Sequence, residues 1–286
     1  MHCFAGPLER KVFFMMRPEF THSSRFTVFC VLLAFALPPC CGAEAPTPAA
    51  TAAFNTYAAT VEARLAQQHR SPTGFLAPPD PVAQSEMRLR RGELIVEQLT
   101  PTQGVDLPGA MLHHWRGTAF APGVKAADFE RLMKDFNTYP RRYSPQVLQA
   151  KILSQQGDHM QATMRVRQRH VLTVVMDTAY DIVFARLDPR HGFSLSRSTR
   201  IAEIDAPGTA KERVLKSSEE HGFLWRLNTY WSYEERDGGL YMQIESISLT
   251  RSIPTGLAWA IRPFVESVPR ESLEFTLRST CNALRK

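Results

Sequence analysis

The stretch that decides the fold is residues 222–251, which read GFLWRLNTYWSYEERDGGLYMQIESISLTR. From Phe223 to Tyr233, large apolar side chains alternate with polar ones, the pattern of a strand with one buried and one wet face. Asp237-Gly238-Gly239 is typical of a tight hairpin turn. The stretch therefore predicts two antiparallel strands joined at that turn.

The same alternation of period two recurs upstream of this hairpin. The segments that show it are residues 160–166, 172–184 and 193–204. Two more strands are predicted at residues 93–99 and 111–120, before a helix at residues 125–136. So many alternating strands predict one large antiparallel sheet with a buried face, and hence an α+β fold.

The C-terminal segment carries the longest apolar helical surface of the chain. Its apolar residues are Leu257, Ala260, Ile261, Phe264, Val265, Leu273, Leu277, Cys281 and Leu284. Their spacing predicts a long helix that covers the buried side of the sheet, with Phe264, Leu273 and Leu277 packed against it. Pro269 is expected to interrupt this helix.

The chain divides into three predicted regions: a signal peptide at residues 1–45, a linker with a helix at residues 46–91, and the main domain at residues 92–286. Residues 46–53 are a low-complexity linker of Pro, Thr and Ala. Residues 54–69 have helical apolar spacing. This helix either packs on the main domain or is tethered outside it.

The predicted signal peptide has a basic start, an apolar run at residues 26–37 and small residues up to Ala45. The run is too short to span a bilayer, which needs roughly 20 residues. We expect cleavage between Gly42 and Pro46 and a periplasmic or secreted protein. Alternatively, residues 26–37 form a buried core helix. Pro38 and Pro39 disfavour a lipoprotein signal ending at Cys40.

The charge and cysteine content of the sequence limit which partners and cross-links are expected. The net charge of +6 becomes +5 without the first 45 residues, which hold four basic and three acidic side chains. This dispersed positive charge would suit an anionic membrane surface or nucleic acid, and export argues against nucleic acid. The simpler interpretation is solvated strand faces. The predicted mature chain keeps one cysteine, Cys281, so no internal disulfide is expected.

No motif for catalysis, a cofactor or a phosphate loop is present in the sequence. His113 and His114 are adjacent, so on a strand they point to opposite faces and cannot share a metal ion. His191 and His221 lie at turns, without a cysteine or carboxylate at ligand spacing. We therefore expect no catalytic residues, no metal and no cofactor.

The order of elements resembles the START-like superfamily, also called SRPBCC, whose helix-grip fold includes polyketide cyclase-like and coenzyme Q-binding proteins. The stretches that carry the resemblance are residues 129–147, residues 222–231 with the turn after them, and residues 245–254. The resemblance covers residues 92–286. The last helix of the family is usually unbroken, so Pro263 and Pro269 put the single-helix form in doubt here.

The resemblance implies a cavity between the sheet and the C-terminal helix that holds a lipid, sterol, quinone or polyketide. The candidate ligand-binding residues are Met164, Met176, Tyr180, Arg200, Trp225, Trp231, Glu245 and Phe264. Phe223 is expected to face inward with the Met and Trp side chains, and Trp225 and Trp231 to form one aromatic wall on a single face. Large aromatic and thioether groups can line an adaptable apolar pocket or simply fill a core.

Glu245 needs a partner if it is buried. Arg251 lies six residues along the same strand, roughly 20 Å away at about 3.3 Å per residue. Arg226 is expected opposite Arg251 across the hairpin and is excluded too, which leaves Arg200. Such a pair is either a structural ion pair or an acid–base pair.

Three functions remain open from the sequence. The leading hypothesis is an exported protein that carries a hydrophobic ligand. The alternatives are a cyclase- or dehydratase-like enzyme acting on a bound hydrophobic substrate, and an interaction module at the cell envelope.

Overall fold

A computed structural model describes residues 45–71, 74–79, 81–100, 105–169, 173–252 and 258–285. The helices are α1 (Pro48–Gln68), α2 (Val82–Arg90), α3 (Ala126–Lys134), α4 (Tyr139–Arg142) and α5 (Ala258–Leu284). The strands are β1 (Ile95–Gln98), β2 (Val105–Leu107), β3 (Ala110–Pro122), β4 (Val147–Gln156), β5 (His159–Arg169), β6 (Thr173–Arg186), β7 (His191–Asp205), β8 (Arg213–Val214), β9 (Arg226–Arg236) and β10 (Gly239–Arg251).

The strands form one antiparallel sheet in the order β1-β3-β10-β9-β7-β6-β5-β4, with β2 added to β3 and β8 to β7. The hairpin predicted from residues 222–251 is β9–β10. Asp237 and Gly238 turn it with positive φ values of 57° and 74°, as a two-residue hairpin turn requires. Because β10 also pairs with β3 along its whole length, this hairpin lies in the middle of the sheet.

Strand β4 is the longest of the elements that the sequence pattern did not predict, the others being β2, β8, α2 and α4. It is an edge strand that pairs, among the described residues, with β5 alone, and all of its side chains are exposed or half-buried. A strand without a fully buried face has no apolar alternation to reveal it.

Helix α5 crosses one face of the sheet, which we call the inner face. Leu273, Leu277, Cys281 and Leu284 share a buried core with inner-face residues such as Trp115 and Ile244. Gly117 permits this contact, because a Cβ atom there would lie 2.6 Å from Leu277 Cδ1. The predicted fold class and the packing of Leu273 and Leu277 are confirmed. The side chain of Phe264 lies outside the described residues.

The predicted interruption of the C-terminal helix at Pro269 is wrong, since α5 runs through both Pro263 and Pro269. A proline in a helix interior costs roughly 3 kcal/mol through a lost hydrogen bond and a steric clash. The three leucines buried after Pro269, at positions 273, 277 and 284, offset that cost, at about 1.5–3 kcal/mol for each fully buried large apolar group.

Helix α1 packs against the opposite face of the sheet, the outer face, and is not tethered outside the domain. Its buried residues Phe54, Val61 and Leu65 join a second core with Leu112 and Ile247. The predicted linker at residues 46–53 is also wrong. The helix begins at Pro48, where Thr47 Oγ1 accepts a hydrogen bond from the backbone N–H of Ala50 at 3.1 Å. Proline at the first position and alanines after it favour a helix start.

The predicted signal peptide, apart from Ala45, lies outside the described residues. No helix in the described part of the chain is both long and apolar enough to cross a membrane.

Candidate functional site

The alternation along β3 brings two polar rings to the inner face. Trp115 belongs to the inner core, and His113 projects to the same side because it lies two residues earlier on the strand. Their partners across the ladder on β10 are Ser248 and Ser246. This polar patch lies near the end of the sheet where β10 stops at Arg251, shortly before α5 begins.

The rings of His113 and Trp115 are buried without hydrogen bonds. Nδ1 and Nε2 of His113 and Nε1 of Trp115 have no partner among the described residues, and the two residues are only 1% and 8% exposed. A buried polar group left unpaired costs about 1–3 kcal/mol, and nearly all such groups in proteins have a partner. These nitrogens therefore mark a place where a water or a ligand is expected.

Burial also determines the charge of this patch. It lowers the pKa of His113 to about 4, because the imidazolium ion is poorly solvated there. At neutral pH the ring is uncharged, with one nitrogen as donor and the other as acceptor, whereas the Trp115 indole can only donate. The patch therefore offers directional hydrogen bonds and no charge.

Four of the predicted ligand-binding residues lie on the inner face. Tyr180 and Trp231 belong to the inner core, and Met164 packs against it. Met176 is buried and shares a strand face with Tyr180, four residues along β6. The ring of Trp231 stands edge-on to that of Phe129, with centroids 5.3 Å apart. Whether any of these side chains contacts a ligand stays a prediction.

The expected aromatic wall of Trp225 and Trp231 is wrong. Trp225 packs in the outer core with Leu112, Tyr230 and Ile247. It precedes β9, in a segment that Gly222 turns with a φ of 77°, so the alternation of the strand does not extend to it. Phe223, in the same segment, is 42% exposed and does not face inward.

Glu245 is buried on the outer face, and the sequence-based assignment of Arg200 as its partner is wrong. Its Oε2 accepts a hydrogen bond from His114 Nε2 at 2.9 Å and also contacts the guanidinium of Arg64 on α1. Arg200 is exposed and pairs across the ladder with Ala179. A contact across 181 residues of chain leaves no trace in local spacing.

Tyr57 on α1 extends this network, since its hydroxyl lies 3.1 Å from His114 Nδ1. Burial, and secondarily the charge of Glu245, raise the pKa of Tyr57, so the phenol stays protonated and donates to His114. Burial alone would raise the pKa of Glu245, but the hydrogen bond from His114 and the charge of Arg64 lower it overall. The network therefore holds a fixed carboxylate and fastens α1 to the sheet.

A cleft of about 380 Å³ lies on the outer side, between residues 75–79, α2 and the sheet. Phe75, Leu89 and Tyr241 contribute to its walls. At its rim, Arg236 is paired with Glu86, Glu234 and Asp237, so its charge is already compensated. This cleft lies on the other side of the sheet from α5.

His113 and His114 lie on opposite faces of the sheet, as the sequence predicts. His114 reaches Glu245 on the outer face, and His113 faces inward, so the two rings cannot share a metal ion.

The expectation that His191 and His221 have no carboxylate nearby is wrong, since His191 contacts Asp188 and Glu234, and His221 contacts Glu203. Within the described residues no group of three or more His, Cys, Asp or Glu side chains gathers at one point where it could hold a metal ion.

What sequence reasoning missed is the pair His113 and Trp115. The signal was present, since they are the polar rings on a strand face otherwise made of Met111, Gly117 and alanines.

No protein-family model matches the sequence, and no curated protein does either. Solved structures of START-superfamily proteins are similar to the chain. A START superfamily protein from Mycobacterium smegmatis has 12% identity and a TM-score of 0.40, over 60% of this chain and 96% of that one. A STAR-related lipid transfer protein from Xanthomonas axonopodis has 15% identity and a TM-score of 0.36, over 64% and 98%.

An aromatase/cyclase from a Streptomyces species has 13% identity and a TM-score of 0.41, over 60% of this chain and 92% of its own. Structures similar to this chain thus include START-superfamily proteins, as the sequence resemblance predicted. At these identities the likeness carries no information about the ligand.

Proposed function

We propose that this chain binds a hydrophobic small molecule on the inner face of its sheet, beside β3, β9 and β10 and toward the start of α5. The observation that carries the proposal is the pair of buried rings, His113 and Trp115, whose nitrogens have no partner among the described residues. A ligand with a polar end at this patch would supply the missing hydrogen bonds.

The surroundings of the patch suit an apolar ligand body. Ile244 and Trp231 lie next to it on the inner face, and Met242, Met164 and Met176 lie farther along the sheet. Binding sites for small molecules are mostly apolar, with a few placed polar groups that orient the ligand. Methionine side chains adapt to ligands of different shape.

The two other functions have less support from the described residues. An acid–base enzyme needs titratable groups that converge in the pocket, but the buried carboxylate Glu245 lies on the other face from His113. An interaction module would need a contiguous apolar surface. Of the large exposed apolar residues, Val82 and Met87 lie on α2, and the others lie on different parts of the chain: Leu153, Leu187, Val214 and Phe223.

The ligand proposal is tested by titrating the protein with hydrophobic molecules while recording tryptophan fluorescence. We expect a saturable change at one molecule per chain. The variant Trp231→Phe keeps an aromatic ring on the inner face but removes one reporter, so the change should become smaller. Trp225→Phe is the matched control, because its indole packs on the outer face, and its titration should equal that of the wild type. If no fatty ester, sterol or quinone gives a saturable signal, the proposal fails.

We also propose that the protein is exported to the periplasm or secreted, as the charged start, apolar run and small residues of 1–45 indicate. Contact with a membrane surface would fit the net positive charge. Expression in a bacterial host, followed by N-terminal sequencing of the exported protein, should place the first residue between Gly42 and Pro46. An intact N-terminus at Met1 or Met15 would contradict export by cleavage.

A further inference from the structure

We infer that the polar end of the ligand is an uncharged hydrogen-bond acceptor, such as the carbonyl oxygen of an ester or ketone, held by Trp115 Nε1 and the His113 ring. This inference rests on the proposed function and specifies the chemistry of the same site.

The donors set the first requirement. Trp115 Nε1–H can only donate, and the neutral His113 ring supplies a second N–H. The two residues lie two positions apart on one strand face, which separates their Cα atoms by roughly 7 Å. Both rings can therefore approach one oxygen, and a carbonyl oxygen has two lone pairs to accept both hydrogen bonds.

The lack of a cation among the described strand neighbours sets the second requirement. The described inner-face neighbours on β10, β9 and β7 are Ser246, Ser248, Thr229, Leu227, Ser194 and Ser196, all uncharged. Among these described neighbours a buried carboxylate would meet no cation, and an unpaired buried charge is costly.

On the inner face of strands β3 to β10, the charged side chains in the described part of the chain lie toward the ends of the sheet and already have partners. Glu203 accepts hydrogen bonds from the backbone of residues 221–223. Glu235 accepts one from the backbone N–H of Ala126. Arg186 pairs with Glu130. His113 does not compensate a carboxylate either, because its burial lowers its pKa to about 4. With respect to the described strands, an acidic ligand would therefore bind in its protonated form.

The test compares three probes with the same alkyl chain: methyl laurate, laurate and dodecane. Their dissociation constants are measured by titration calorimetry and native mass spectrometry near neutral pH. We expect methyl laurate to bind more tightly than either laurate or dodecane. A hydrogen bond between neutral groups corresponds to roughly a 2- to 12-fold change in affinity.

Trp115→Phe removes the indole donor and keeps an aromatic ring. It should weaken the binding of methyl laurate by roughly that 2- to 12-fold factor and leave the affinity for dodecane unchanged. Trp225→Phe removes an indole from the outer face and should change the affinity for neither probe. His113→Leu is the second test variant if Trp115→Phe does not fold, and it should reduce the preference for the ester over the hydrocarbon in the same way.

The outcomes separate the two proposals. If laurate binds as tightly as methyl laurate, or if Trp115→Phe and His113→Leu leave the ester affinity unchanged, the inference is overturned while the binding function stands. If none of the three probes binds the wild-type protein and the wider ligand panel also fails, the proposed function is overturned together with the inference.

Discussion

Replacing Glu245 by alanine is expected to lower the free energy of unfolding by about 3 kcal/mol, near the lower end of the range for breaking a buried ion pair. The carboxylate is 1% exposed and joins His114 on β3 to Arg64 on α1. Its removal leaves the buried His114 ring without its acceptor and opens a void under α1. Because the Arg64 side chain is 42% exposed, it can turn to water, which keeps the loss below the upper end of that range.

The matched control for this variant is Glu274→Ala. Glu274 pairs with Arg270 one turn away on α5, and both side chains are substantially exposed, so its loss should change the unfolding free energy by less than about 0.5 kcal/mol. Urea denaturation measures the free energy of unfolding of both variants. Equal stabilities for wild type and Glu245→Ala would show that the network does not hold α1 to the sheet.

The effect of Glu245 should also depend on pH. Its pKa in the folded protein is below the ordinary 4.5, so the unfolded chain takes up the proton first as the pH falls. The stabilisation is therefore fully present above pH 4.5 and is lost as the pH falls through the lower, folded pKa. The difference between wild type and Glu245→Ala should shrink over that acid range.

Leu277→Ala is expected to destabilise the protein by about 2–5 kcal/mol, the usual cost of truncating a fully buried leucine. Leu277 has no exposed surface and lies directly over Gly117 in the centre of the inner face. The cavity could not be closed by a small shift, because Leu273 and the rest of α5 hold the backbone in place. Against a typical total stability of about 5–15 kcal/mol, this loss is large.

The neighbouring variant Arg278→Ala is the control for Leu277→Ala. Arg278 is exposed on the same turn of α5, and alanine keeps the helix propensity, so the melting temperature should be nearly unchanged. A melting temperature for Leu277→Ala equal to that of the wild type would mean that α5 is not held by its packing on the sheet.

The sequence by itself determined the central hairpin, the antiparallel sheet and the covering helix. These features follow from local periodicity: alternation along residues 226–236 and 239–251, and the spacing of Leu273, Leu277, Cys281 and Leu284. A side chain that must be buried on one face repeats with the period of its own element. The pattern therefore survives in the sequence without any knowledge of the partner.

Only the tertiary structure decided the site. Trp225 and Trp231 have the same parity in the sequence, but the turn at Gly222 places Trp225 on the outer face. Glu245 finds His114 and Arg64 instead of Arg200, because its partners come from a distant strand and from α1. The unpaired nitrogens of His113 and Trp115 depend on what lies across the inner face of the sheet. Hydrogen bonding and charge compensation are set by atoms that are close in space, and distance along the chain does not report that closeness.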